Sequence, residues 1–120
     1  MRRLLLAFPL VLATFGALAE EVSAEVRKQF WCGVAFDLAA RDVPEDAAPE
    51  VLAVTTPYKT GAGTLIGRAR VAYLEAGYTE EAFEALRAET EARVLAELAR
   101  TDPAVEPQHS FEDCAALIGL

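Results

Sequence analysis

The chain has 120 residues and a formal net charge of −8, from 11 lysines and arginines against 19 aspartates and glutamates, while 53% of its residues are hydrophobic. A surface this acidic is repelled by phosphate backbones and anionic lipid headgroups, which disfavours nucleic-acid binding and peripheral membrane attachment and leaves a basic protein, a peptide or a cation as the charge class it could attract. The length suits one small domain with a single core, marginal in stability unless something staples it.

The chain opens with Arg2 and Arg3, an apolar run from Leu4 to Ala19, and the small-residue triplet Ala17-Leu18-Ala19. A basic start, an apolar middle and small residues at the cut are the parts of a secretory leader. The run is shorter than the roughly 20 residues a membrane-spanning helix needs and is interrupted by Pro9, so residues 1–19 read as a signal peptide rather than an anchor. The arginines lack the polar consensus of a twin-arginine address, and Gln29-Phe30-Trp31 before Cys32 is too bulky for a lipid-attachment site. Residues 20–120 are then a single small helical domain, periplasmic or secreted. Arg2 and Arg3 leave with the leader and no acid does, so the exported domain is more acidic than the whole chain. Arginine outnumbers lysine and asparagine is absent, a composition of GC-rich bacterial coding for which the exported space is a periplasm.

Export gives the two cysteines their meaning. Cys32 lies near the start of the exported domain and Cys114 near its end, and an oxidising compartment favours their pairing. The chain-entropy account credits so long a closure with roughly 4 to 5 kcal/mol. A dithiol catalyst would want its sulfurs close in sequence, as in Cys-x-x-Cys, and these are not.

The first predicted helix runs from about Ser23 to Ala40. Val22, Val26, Phe30, Val34 and Leu38 recur at four-residue spacing, and Trp31, Cys32 and Phe36 widen the apolar surface at its centre. Asp42-Val43-Pro44 is its stop. From Pro44 to Gly63 the prolines Pro44, Pro49 and Pro57 predict short pieces. Pro49-Glu50-Val51-Leu52 opens one or two helical turns, against the extended preference of Val51, Val54, Thr55 and Thr56. Thr60-Gly61-Ala62-Gly63-Thr64 matches no phosphate-loop spacing and reads as a flexible lead-in.

The second helix is predicted over Thr64 to Ala76, with Leu65, Ala69, Ala72, Tyr73 and Ala76 on one side, Gly77 as its left-handed cap, and Arg68 and Arg70 offsetting neighbouring carboxylates. Thr79 caps a third helix from Glu80 to about Arg100, with the core stripe Phe83, Leu86, Thr90, Val94 and Leu98. Glu84/Arg87, Glu89/Arg93 and Glu97/Arg100 are its expected ion pairs. It is not a coiled coil, because the heptad set by Phe83 and Leu86 puts Arg93 and Glu97 in the seam. After a polar crossing with Pro103 and Pro107, Ser110-Phe111-Glu112-Asp113 opens a last short helix carrying Cys114. The fold expected is all-α, a small bundle of three to four helices with one disulfide.

Catalytic, cofactor and metal residues are not recognised. His109 is the one histidine and reads as a solvent-exposed loop residue; Ser23 and Ser110 stand at helix starts outside any Gly-x-Ser-x-Gly frame; Cys-x-x-Cys-His is missing. The reading that follows is an exported non-enzymatic helical protein with a protein-interaction or structural role in the periplasm, its partner another exported protein. An acid- or stress-responsive chaperone-like protein is the alternative, because loss of carboxylate charge in acid could loosen the domain and expose Phe30, Trp31 and Phe36. A small hydrolase using surface carboxylates ranks last.

Overall fold

Helix α1 (Ala24–Arg41) is the axis about which the rest is arranged. The computed structural model describes residues 21–99 and 108–120; the expected leader and residues 100–107 of the expected crossing lie outside them. Phe30, Trp31, Cys32, Gly33 and Val34 are all buried, and five consecutive residues sweep more than a full helical turn, so α1 has neighbours on every side at its centre. Those neighbours are α2 (Pro49–Glu75), α3 (Glu80–Ala99) and α4 (Phe111–Leu117), each in contact with α1. α2 also touches α3. No strand occurs among the described residues.

The caps fall where side-chain chemistry places them. The Ser23 hydroxyl accepts from the Val26 N–H at 3.2 Å, Thr79 from the Ala82 N–H at 3.0 Å, and Ser110 from the Asp113 N–H at 3.1 Å, each satisfying one orphan donor of a first turn. α2 ends in a Schellman motif. The N–H of Tyr78 donates to the Tyr73 carbonyl at 3.0 Å and that of Gly77 to the Leu74 carbonyl at 3.1 Å, with Gly77 at φ 108°. The apolar contact that accompanies such a cap is a pair of rings, Tyr73 and Tyr78, edge to face at 4.9 Å.

The predicted break before Thr64 does not exist. One helix of 27 residues begins at Pro49, as the proline at its first position suggested, and continues through Pro57, Gly61 and Gly63. Interior proline and glycine carry a propensity cost of about 3 and 1 kcal/mol respectively, and packing overrides it. Tyr58, Ala62, Leu65, Ala69 and Tyr73 form one stripe at helical spacing that lies on the core, and stopping at Thr64 would strip its first two members from α1.

Glycine serves that packing at two places. A Cβ on Gly33 would meet Ile66 Cγ1 at 2.9 Å, Leu65 Cβ at 3.0 Å and the Ile66 backbone nitrogen at 3.2 Å; one on Gly61 would meet Ile118 Cγ2 at 2.5 Å. Among the described residues nothing stands within 4 Å of the corresponding position on Gly63 or Gly67. Gly63→Ala and Gly67→Ala are therefore expected to stabilise by about 0.5–1 kcal/mol each through helix propensity. Gly33→Ala is expected to lose roughly 1–2 kcal/mol net, because overpacking against α2 outweighs the same gain. Denaturant midpoints of the three variants check this; a stabilised Gly33→Ala would mean that α1 and α2 are not in such close contact.

An ion-pair network ties α1 to α3. Arg41 reaches Asp37 at 2.5 Å and Glu91 at 3.2 Å, and Arg87 lies 3.8 Å from Asp37 and 3.7 Å from Glu91. Arg87 thus turns to Asp37 and Glu91 rather than to the expected Glu84. The Glu89/Arg93 pair forms at 2.8 Å, Arg70 pairs with Glu80, and the Arg100 half of the third expected pair lies outside the described residues. These groups are part-exposed, so each pair contributes only tenths of a kcal/mol.

Candidate functional site

The disulfide divides the aromatic side chains into two groups. Cys32 on α1 bonds Cys114 on α4, with an S–S distance of 2.02 Å and the α-carbons 5.2 Å apart, and both residues are buried. One group is closed: Phe83 packs against Phe30 at 5.1 Å and Tyr73 at 5.8 Å, all three shut off from solvent between α1, α2 and α3. The other surrounds open space. Phe36, Tyr58 and Phe111 stand 5.1 to 6.3 Å apart with interplanar angles of 49° to 82°, and Trp31 meets His109 edge to face at 5.4 Å.

Between the rings of this second group lies a groove of about 380 Å³. Its floor is the α1 face of Trp31, Ala35, Phe36 and Ala39; Val54 and Tyr58 of α2 form one wall, and His109, Ser110 and Phe111 at the start of α4 form the other. Leu98, at the end of α3, closes one side. The groove exists because α4 is short and its first turn is not drawn in: seven residues carry Cys114 to the disulfide and leave Phe111, one turn earlier, leaning over α1 without covering it. Val54, Leu98 and Phe111 remain 63%, 54% and 60% exposed, so the apolar surface continues beyond the rim.

Two polar atoms at this seam lack protein partners. Trp31 Nε1 and His109 Nε2 are buried with no hydrogen-bond partner among the described residues. Burial holds the His109 imidazole below its ordinary pKa, and the positive charge of Lys28 acts in the same direction; Asp113 and Glu97 oppose both and do not prevail. The ring is therefore neutral at pH 7. Glu97 is anchored there by accepting the Gln108 N–H at 2.7 Å.

His109 is thus a correction to the sequence reading: it is half-buried against Trp31 rather than a free loop residue, because α4 is drawn onto α1 by the disulfide. Phe36 and Trp31, expected in the core, form the groove floor as well. Tyr58 and Val54 were hidden by the predicted break, and Leu98 was assigned to the core stripe of α3, where the structure leaves it half-exposed. The available signal was the aromatic residues that α1, α2 and α4 bring to the groove, Trp31, Phe36, Tyr58 and Phe111.

Among the described residues no aspartate or glutamate lines the groove, and no three His, Cys, Asp or Glu side chains gather as a metal site would require. No described helix is long and apolar enough to cross a membrane. What the site offers chemically is apolar and aromatic surface with one neutral imidazole, the composition of a binding site. No protein-family model, curated protein or solved structure matches this chain.

Proposed function

We propose that this chain is an exported, non-enzymatic interaction protein of the periplasm, and that the groove between α1, α2 and α4 is where it takes hold of another exported protein. The observation that carries the reading is the exposure of Val54, Leu98 and Phe111 around an aromatic concavity. A solvated helical domain has no packing use for three large hydrophobics gathered at one opening, whereas a partner would bury them with the concavity as the anchor point. The leader pattern of residues 1–19 supports the compartment, and the buried disulfide suits an oxidising one.

The test compares the wild-type chain with Leu98→Asp and Phe111→Asp, both at exposed positions where the fold should tolerate them. After mild cross-linking in intact cells, the wild type is expected to be recovered from the exported fraction bound to a discrete partner, and the variants to be recovered free. Wild-type protein that emerges alone at every salt concentration, or variants that retain the partner, would overturn the proposal.

A further inference from the structure

The geometry points to an arginine side chain of a basic partner segment as the group that enters the groove, an inference that rests on the interaction reading above. The rings at the opening are splayed rather than stacked. Phe36, Tyr58 and Phe111 meet at 49° to 82° within 6.3 Å, and an aromatic ring attracts a cation over its face. A planar guanidinium, weakly hydrated, is suited to lie on such a face while its methylene stem passes over Ala35 and Ala39. About 380 Å³ is at the small end of ligand-sized sites, which suits one long side chain.

Charge selects among occupants. No charged side chain of either sign is among the described residues lining the groove, the imidazole of His109 being neutral, so any selection by charge comes from the chain as a whole. The chain as a whole stands at −8, so an anionic group would be repelled on approach and a cationic one drawn in. The exposed rim of Val54, Leu98 and Phe111 decides between a free cation and a side chain on a polypeptide: it extends the apolar surface past the concavity, where flanking residues of a partner segment would lie.

The experiment uses the exported, oxidised protein. Trp31 is the sole tryptophan and stands in the groove floor, so its fluorescence reports occupancy directly. The probes are the peptide acetyl-Ala-Leu-Arg-Leu-Ala-amide, the same peptide with citrulline in place of arginine, and ethylguanidinium. Citrulline keeps the shape and removes the charge. The arginine peptide is expected to bind about 5-fold or more tighter than its citrulline counterpart, within the range of a partly desolvated cation–π contact. Phe111→Leu is expected to narrow that ratio while leaving the unfolding midpoint in place, since Phe111 is largely exposed. Equal binding of the two peptides would overturn the cationic occupant and leave the interaction groove standing. Ethylguanidinium binding as tightly as the arginine peptide would overturn the partner-protein source. Failure of all three probes to bind, with both peptides inert, would count against the groove itself.

Discussion

Replacing Cys32 and Cys114 together by alanine is expected to lower the unfolding free energy by about 3–4 kcal/mol, a large part of the roughly 5–15 kcal/mol of an ordinary domain. The bridge closes a loop of sequence separation 82, so its absence returns most of the loop entropy to the unfolded state. Exchanging both cysteines avoids leaving one thiol buried alone, and the lost sulfur contacts add a small cavity on a helix otherwise closed at that point. In a domain of this size each kcal/mol shifts the melting temperature by roughly 4–8 °C, so a fall of well over 10 °C is expected.

The damage should be uneven. A helix of seven residues does not persist in isolation, and beyond α1 and the bridge to it, α4 is held among the described residues only by side-chain contacts at its two ends, Phe111 with Tyr58 and Ile118 with Gly61 of α2. α4 should therefore loosen before the rest, taking Phe111 and the His109 wall away from the groove and abolishing peptide binding at temperatures where α1 to α3 still hold. Circular dichroism in urea measures the first effect, and Trp31 fluorescence with the arginine peptide the second. A stability loss under about 1 kcal/mol, with binding intact, would mean that packing alone keeps α4 in place.

How much of this was legible beforehand depended on whether the deciding interaction was local. Ser23, Thr79, Ser110 and Gly77 bound helices because a hydroxyl or a missing Cβ acts within three or four residues, and each does so in the structure. The cysteine pairing was legible for a different reason: with two cysteines there is only one intramolecular pair to make. The interior of α2 was not legible. Pro57, Gly61 and Gly63 speak locally for a break, and what overrules them is contact with residues distant in sequence: Gly61 accepts Ile118 from the chain end, and Tyr58 meets Phe36 at 5.1 Å. The groove was hidden by the same cause. Its lining comes from all four helices, and periodicity within one helix cannot distinguish a stripe that is covered from one left half-covered, as Leu98 and Val94 show at neighbouring positions of one stripe.

Phe83→Ala is the second change with a large expected cost, about 3–5 kcal/mol, and it separates stability from binding. Phe83 is wholly buried in the first turn of α3, within ring-contact distance of Phe30 and Tyr73, themselves 5.8 Å apart. Truncation leaves a ring-sized void between three helices whose backbones are fixed by other contacts: α1 and α2 by the Gly33 approach, α3 by the burial of Thr90 and Val94. Little collapse is available to refill it, which places the cost towards the upper part of the range. Phe83→Leu, which keeps much of the volume, should lose far less. Because Phe83 lies in the closed aromatic group and the groove belongs to the other, Phe83→Ala protein that is still folded at low temperature should bind the arginine peptide as the wild type does. The disulfide variant should show the reverse order, losing binding ahead of global unfolding. Thermal melts paired with Trp31 titrations at low temperature decide it, and a Phe83→Ala variant that melts near the wild type yet no longer binds would show that the two aromatic groups are not independent.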